Sequence, residues 1–599
     1  MRRPLRSSLV ALALLTSCRS GPPPVPARPA TAPAAAPLRI VVVGTNDLHG
    51  WVAPHATKLA SGVELKEGGL THFAGYLARL RTENPDGLVL LDGGDLFQGT
   101  LPSNTTEGAV VIDVYNYLGY AAAAVGNHEF DYGPVGPVPV ATRPGEDPFG
   151  ALKARIAQAK FPIMAANIRE VAGGAVPGWL GNDGTALIER QGLKIGIVGL
   201  ATPTTPSTTN PVNVASLRFN ALAEETAAAV KRLRARGAEL VLGVAHAGGR
   251  CTELSRPRDL SSCERATSEI FSMLEALPPR TLDAVVAGHT HAALGHFVQE
   301  TPVIETSGMG RSFGLVELHV DRVSRRVLPE RTRIEAAIPI CAQVDEASGS
   351  CDPRVLGSAA QVRLVPARFH GAEVVPDDGV ERILAPVLQS VAVQQQEPLG
   401  VTVPVTLTRD YHAESPLGSV LVDALRAVGA ADVALLNPGG LRADLREGPV
   451  TYGDLFEVLP FENTLSTLTL TGAQLTTLLR TVYAQRKGVF QVSGLRVTLD
   501  RCLGDDRFKG ATLLDGRKLL PAARYRVVLP DFLARGGEGL EPFLATLAPE
   551  QIDLGEQRPL SLRDALAAHW KREGKPLAAP APGRIRYLGT GKQCGPEKN

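Results

Sequence analysis

The stretch LRIVVVGTNDLHG, residues 38–50, joins a continuous apolar run to a loop that carries an aspartate and a histidine. A short apolar run that ends at glycine and turn residues is typical of a buried β-strand. In open α/β folds, ligands bind just beyond the carboxyl ends of such strands. The stretch therefore predicts an α/β fold with a polar site at this strand end.

The same arrangement recurs four more times in the first half of the chain. The segments are LVLLDGGD (88–95), AAAAVGNHEF (121–130), LVLGVAH (240–246) and LDAVVAGHTH (282–291). One histidine at a strand end is more often a hydrogen-bonded core residue than a ligand. Five strand ends that all carry Asp, Asn or His indicate a metal centre.

Residue types and spacing select seven candidate ligands. Asp47 and His49 alternate along an extended loop, so both can face one ion, and the His-Thr-His segment 289–291 repeats this spacing. Asp95 follows a Gly-Gly pair that permits close approach of the backbone, and its two oxygens can bridge two ions. The seven candidates are Asp47, His49, Asp95, Asn127, His246, His289 and His291.

Seven donor residues, one of which is shared by both ions, are enough to fill two four-coordinate metal sites. Mixed nitrogen and oxygen donors favour Zn, Mn, Fe or Co over Mg or Ca. Two such ions, roughly 3.5–4 Å apart, stabilise both the attacking and the leaving oxygen of a phosphoryl transfer. His128 is better placed for the substrate than for the metal, and Asp131 can orient it as the second member of a catalytic dyad.

Length and charge limit the possible classes of protein. A chain of 599 residues is too long for one core and predicts at least two domains. With 62 basic and 61 acidic residues, the chain has no charge excess that points to a nucleic-acid polymer as partner. The apolar fraction of 44% is that of a soluble globular protein.

Residues 1–18 are typical of an export signal. Three arginines precede the apolar stretch Leu9–Leu15, which is far shorter than the roughly 20 residues that span a bilayer. Leu15-Thr16-Ser17-Cys18 resembles the bacterial lipoprotein cleavage box and predicts a periplasmic or cell-surface lipoprotein anchored at Cys18; ordinary secretory cleavage is the alternative. Residues 19–37, rich in Pro and Ala, are predicted to form a tether.

Six cysteines follow Cys18, and an even number in an exported chain suggests disulfides. Sequence alone allows fifteen pairings. Proximity in the sequence favours Cys251 with Cys263 and Cys341 with Cys351, which leaves Cys502 and Cys594.

The folded part is predicted to divide near its middle. Residues 38–340 contain all five strand ends, with a helix predicted by the spacing of Leu70, Phe73, Leu77 and Leu80. Residues 341–395 are predicted to form a linker and a connecting helix over 380–395. A second α/β pattern occupies residues 396–590, with apolar runs at 433–436, 465–470 and 525–529.

Taken in order, the five metal motifs resemble the signature of calcineurin-like metallophosphatases. The second half resembles the C-terminal domain of bacterial and animal 5′-nucleotidases in ESPLG (414–418), NPGGLR (437–442), LPFEN (459–463) and FLARGGEG (532–539). Together the two resemblances cover essentially everything after the tether.

The resemblance implies a four-layer αββα metallophosphatase domain, where periodicity alone suggests a doubly wound sheet, followed by an α/β substrate-binding domain. It implies that one ion is held by Asp47, His49 and His291, the other by Asn127, His246 and His289, and that Asp95 bridges them. His128 would stabilise or protonate the reacting phosphate, with Asp131 as its partner.

For the second half, the resemblance implies a slot in which two aromatic rings, Phe461 and Phe532, clamp a nucleobase. Stacking tolerates any base because every base has a π-face. Arg442 corresponds to a phosphate-contacting arginine, and Asn437 and Asn463 correspond to polar contacts. The alternative for each phenylalanine is a core position.

Three positions depart from the family pattern. Glu538 replaces an aspartate that binds the ribose hydroxyls, and its extra methylene displaces the carboxylate. Tyr411 stands where nucleotide-specific members carry an arginine, for which Arg409 is a possible substitute, and Pro416 stands where they carry an asparagine.

The sequence thus predicts an enzyme that uses two divalent ions to hydrolyse phosphoester bonds of extracytoplasmic nucleotides, as a 5′-nucleotidase does. The alternatives within this class are 2′,3′-cyclic nucleotides and nucleotide sugars as substrates. A lipid-tethered protein that binds nucleotides or metal without turnover is the competing class, and hydrolysis of a sulfur-bearing group is a further alternative.

Overall fold

The computed structural model describes residues 36–357, 359, 361–484, 488–500, 507–556 and 560–588. The predicted signal peptide, all but the last two residues of the tether, Cys18, Cys502 and Cys594 lie outside the described residues. Among the helices that are described, none combines the length and the apolar character needed to cross a membrane.

Two six-stranded sheets form the first half of the protein. The strands of the first sheet, in spatial order, are Arg333–Pro339, Ser312–Val320, Leu38–Thr45, Leu88–Asp92, Ala122–Ala124 and Ile163–Met164. Those of the second are Leu294–Val298, Thr301–Glu305, Ala284–Ala287, Leu240–His246, Leu193–Ala201 and Thr185–Arg190. The strands that precede the five metal motifs are parallel within each sheet, so their carboxyl ends lie at one edge.

The two sheets pack face to face between helices. Ile40 and Val42 of the first sheet share a core with Ile197 and Leu242 of the second. The other face of the first sheet packs on helices Leu70–Glu83, Ala109–Leu118 and Gly150–Gln158. The other face of the second sheet packs on helices Leu222–Ala235 and Glu269–Ala276. The predicted four-layer αββα arrangement is therefore confirmed.

A five-stranded sheet forms the centre of the second half, in the order Gln491–Ser493, Val433–Leu436, Arg524–Pro530, Leu465–Thr471, Ile552–Asp553. Helices Pro416–Val428, Tyr452–Val458 and Leu562–Glu573 cover one face, and helix Gly472–Ala484 covers the other. A three-stranded sheet adjoins it, built from Leu495–Asp500, Phe508–Leu513 and Ile585–Leu588. The predicted α/β character of this half is confirmed.

The segment that connects the two halves, predicted above as residues 341–395, packs against the hydrophobic core between the first sheet and its helices. Cys341, Cys351 and Phe369 are buried there, and helix Asp378–Gln395 follows. The structure joins Cys341 to Cys351 and Cys251 to Cys263 by disulfide bonds.

Candidate metal centre

The candidate ligands converge at the shared edge of the two sheets. Donor atoms of Asp47, His49, Asp95 and His291 all lie within 4.8 Å of one another. His291 Nε2 is 3.2 Å from Asp47 Oδ1 and 3.0 Å from His49 Nε2. His246 Nε2 is 3.0 Å from Asn127 Oδ1, and its ring centroid is 4.9 Å from that of His289. All seven residues predicted from sequence thus belong to one cluster.

Asp95 occupies the middle of this cluster. Its Oδ2 lies 3.7 Å from His49 Nε2 on one side and 3.2 Å from His246 Nε2 on the other. The Asp95 residue is 2% exposed, so its carboxylate is compensated by protein groups and not by solvent. One carboxylate oxygen between two groups of donors is the geometry that a bridging ligand requires.

Backbone carbonyls orient two of the imidazoles. The Nδ1–H of His49 donates to Gln98 O at 2.8 Å, and that of His246 donates to Gly93 O at 2.9 Å. These bonds leave the Nε2 atoms directed into the cluster, which is how metal-binding histidines are usually held. Burial lowers the pKa of His289 to about 3, so that this ring is neutral and able to coordinate. Asp95 outweighs burial and raises the pKa of His246 to about 10, so that a metal ion would displace a proton from that ring.

The backbone is strained where the candidate ligands lie. Asp47, His49, Asp95, His289 and His291 have φ angles of 49°, 49°, 55°, 84° and 51°. Non-glycine residues rarely adopt positive φ, and such strain concentrates at functional sites because the surrounding structure must enforce it. The fold therefore holds these side chains in place at a conformational cost.

The donor set fits divalent metal ions of the transition series. Four imidazoles, two carboxylates and one amide oxygen provide the mixed nitrogen and oxygen ligands that Zn, Mn, Fe and Co accept. Buried carboxylates crowded beside one another need a cation for compensation. The residues present therefore fit the divalent metals that the family resemblance implies.

His128 and Asp131 form a close pair next to the cluster. His128 Nδ1 is 2.6 Å from Asp131 Oδ2, and Asp131 Oδ1 accepts a hydrogen bond from Thr209 Oγ1 at 2.7 Å. The backbone N–H of His128 donates to Asp95 Oδ1 at 2.9 Å. The imidazole is thus oriented by a carboxylate that is itself held, and its backbone is tied to the central aspartate.

Glu129 supports the central aspartate and is absent from the sequence-based ligand set. Its buried carboxylate accepts hydrogen bonds from the backbone N–H groups of Asp95, Leu96 and Gly126 at 2.6–2.9 Å. Burial, reinforced by Asp95, raises the pKa of Glu129 to about 8. Its place in the Gly-Asn-His-Glu motif was the only signal for this role.

Glu305 ties together two loops that carry candidate ligands. Its buried carboxylate accepts hydrogen bonds from the backbone N–H and the hydroxyl of Thr290, which lies between His289 and His291. The same carboxylate accepts a hydrogen bond from the N–H of Gly249, three residues after His246. No local motif marks Glu305, because its partners are distant in sequence.

A cavity of about 800 Å³ connects the cluster to the second half of the protein. Asp95, Asn127, His128, Asp131, His289 and His291 line it from the first half. All seven predicted substrate residues line it from the second: Arg409, Asn437, Arg442, Phe461, Asn463, Phe532 and Glu538. The cavity therefore brings the candidate catalytic and substrate residues into one site.

Arg442 reaches across this cavity from the second half to the candidate metal centre. Its Nη2 donates to His49 Nε2 at 2.9 Å, and its guanidinium lies 5.9 Å from the centre of the Phe461 ring. The Phe461 ring lies 5.5 Å from that of His128. The predicted phosphate-binding cation is thus adjacent to the candidate metal centre.

Two of the three departures from the family pattern, Tyr411 and Glu538, also lie at the cavity. Tyr411 lines it, and Arg409 Nη1 donates to Leu441 O at 3.0 Å. Pro416 starts helix Pro416–Val428, where proline is compatible because its missing N–H would have no intrahelical partner. Glu538 Oε1 accepts a hydrogen bond from Asn437 Nδ2 at 3.2 Å, which joins two predicted substrate residues.

Matches to two protein families agree with the location of the candidate metal ligands in the first half and of the candidate substrate residues in the second. Residues 40–293 match the calcineurin-like phosphoesterase family, and residues 393–546 match the 5′-nucleotidase C-terminal domain. The chain is 23% identical to a 5′-nucleotidase of Vibrio cholerae over 574 residues, which cover 89% of this chain and 90% of that protein.

Other similarities extend over the same length of this chain. It is 23% identical to Endonuclease YhcR of Bacillus subtilis over 566 residues, which cover 92% of this chain but only 41% of that protein. A crystal structure of a 5′-nucleotidase precursor from Thermus thermophilus superposes with a TM-score of 0.71 at 25% identity, covering 92% of this chain and all of that one.

Proposed function

From its membership of the family that joins a calcineurin-like phosphoesterase domain to a 5′-nucleotidase C-terminal domain, we propose that this chain is an extracytoplasmic 5′-nucleotidase. It hydrolyses the phosphoester bond of nucleotides and releases nucleoside and phosphate. The observation that carries the proposal is one cavity lined both by four of the seven candidate metal ligands and by Arg442, Phe461 and Phe532.

The chain's own residues account for binding and proton transfer. The seven candidate ligands would hold two divalent ions, which would supply Lewis-acid stabilisation of the reacting oxygens. Arg442 binds the phosphate, because a guanidinium matches the geometry of phosphate oxygens. Asp131 orients the His128 ring, and His128 is placed to stabilise or protonate the reacting phosphate.

A panel of substrates tests the proposal directly. Phosphate release from 5′-mononucleotides is expected to exceed release from a simple aryl phosphate, with metal content measured on the same sample. Turnover only with 2′,3′-cyclic nucleotides or only with nucleotide sugars would change the substrate assignment, but the protein would still be a phosphoester hydrolase. Nucleotide binding without turnover by the metal-loaded protein would contradict the enzyme proposal.

We expect Phe532→Ala to weaken nucleotide binding about 10- to 100-fold. A stacked aromatic contributes roughly 1–3 kcal/mol per base, and Phe532 lines the cavity opposite the candidate metal centre. KM for a 5′-nucleotide measures the effect, and an aryl phosphate that lacks a base is the control. Equal losses for both substrates would show that Phe532 packs against Gly537, which touches its ring, and holds no base.

We further propose that the protein is anchored in the membrane through a lipid on Cys18, after export. The proposal rests on the apolar stretch and cleavage-box resemblance of residues 9–18. Cys18→Ser is expected to move the protein from the membrane fraction to the soluble fraction, because the Pro-rich tether has no apolar face of its own. Unchanged partition of the Cys18→Ser protein between the two fractions would rule out lipidation at this residue.

A further inference from the structure

A second group of metal-binding residue types lies next in sequence to residues that line the cavity. The donor atoms of Cys251, Cys263 and His296 lie within 4.8 Å of one another. Cys251 and Cys263 face each other as an isolated antiparallel pair and are joined by a disulfide. His296 belongs to the neighbouring strand Leu294–Val298. None of the three belongs to the predicted dinuclear centre.

His296 is not explained by ordinary packing. Its side chain is 0% exposed, and neither ring nitrogen makes a hydrogen bond of normal geometry. The backbone of Glu253 is close enough to one ring nitrogen to act on it as a weak hydrogen-bond partner. Buried polar groups are nearly always hydrogen-bonded, so the other ring nitrogen still requires a partner.

The surroundings of His296 favour a cation. The carboxylates of Glu253 and Asp259 both act electrostatically on the ring in the direction that stabilises positive charge. Cys251 and Cys263 are only half-buried, so a reductant can reach the disulfide. The other disulfide, Cys341–Cys351, is fully buried and forms no such group with a histidine among the described residues.

We propose that Cys251, Cys263 and His296 form a binding site for one Zn²⁺ ion, which becomes available when the Cys251–Cys263 disulfide is reduced. A small dithiol gives two electrons and two protons to the disulfide and is itself oxidised to a disulfide. The ion then displaces the two thiol protons and binds two thiolates and one neutral imidazole. Two thiolates and an imidazole are a typical ligand set for zinc.

The proposed site adjoins the substrate cavity. Arg250 and Glu264, the residues next to the two cysteines, both line that cavity. The backbone N–H of Glu264 donates to Arg250 O at 2.9 Å, which closes the base of the loop. The state of the two sulfurs is therefore linked through the backbone to residues at the cavity wall.

Cobalt(II) provides a probe that separates this site from the dinuclear centre. The full protein is reduced with excess dithiol, freed of reductant without oxygen, and titrated with Co²⁺. A thiolate-to-cobalt charge-transfer band that saturates at one equivalent, and disappears on adding Zn²⁺, is expected only after reduction. The seven candidate ligands of the dinuclear centre include no thiolate, so they cannot produce this band.

Variants identify the ligands. Cys251→Ser is expected to abolish the band, whereas Cys341→Ser and Cys502→Ser are expected to retain it. His296→Gln is expected to weaken Zn²⁺ binding at least tenfold, since even partners of a ligand change metal affinity about 10- to 100-fold. Absence of the band in the reduced protein, its loss with Cys341→Ser, or unchanged affinity in His296→Gln would each overturn the proposal.

Discussion

Asp95→Ala is expected to remove at least one divalent ion and to lower kcat roughly 10³-fold. The Asp95 carboxylate lies between His49 and His246, so its loss would deprive both proposed metal positions of a shared ligand. An ion contributes several kcal/mol to transition-state stabilisation, and each 1.4 kcal/mol corresponds to about a factor of ten in rate.

Metal content by elemental analysis gives a readout that does not depend on activity. Asp86→Ala is a suitable control, because Asp86 is an exposed aspartate outside the cavity. Two ions retained at full occupancy in the Asp95→Ala protein would contradict the bridging role. A thermal unfolding measurement on both variants distinguishes loss of metal from loss of the fold.

His128→Ala is expected to retain both ions and to lower kcat about 10²- to 10⁴-fold. This is the range that a positioned general acid or base contributes. The imidazole is oriented by Asp131 at 2.6 Å, and its own nitrogens are not within the predicted ligand set. The combination of intact metal content with reduced turnover separates this role from metal binding.

A matched control exists for the His128–Asp131 pair. His370 Nδ1 lies 2.9 Å from a carboxylate oxygen of Glu83, and neither residue lines the cavity. His370→Ala therefore removes a similar histidine–carboxylate pair and should leave kcat unchanged. If His128→Ala had no larger effect than His370→Ala, His128 would not take part in the reaction.

The spacing of apolar residues and the order of the motifs were sufficient to predict much of the fold. The apolar runs at 38–43, 88–91 and 240–244 are strands in the structure, because such runs satisfy the backbone and bury side chains on both faces of a covered sheet. The division into two face-to-face sheets did not follow from periodicity. It depends on which strands pair across distant parts of the chain, as Leu38–Thr45 does with Ser312–Val320.

Local sequence patterns did not predict the contacts that Glu305 and Arg442 make around the candidate metal centre. Glu305 acts on Thr290 and Gly249 through hydrogen bonds over distances of 15 and 56 residues in sequence. The contact between Arg442 and His49 spans 393 residues. A carboxylate or guanidinium shows its role only when its partners are known, and those partners are brought together by packing alone.

The sequence by itself determined the strand ends, the residue types that can bind metal and their order along the chain. All three features follow from the residue types and their local spacing, because residues in the loop after a strand lie at the edge of the sheet where that strand ends. Tertiary structure alone decided that Asp95 lies between two groups of donors, that Arg442 reaches across the cavity, and that His296 lies beside Cys251 and Cys263. Such positions depend on long-range packing, in which each side chain is placed by elements far away in the sequence.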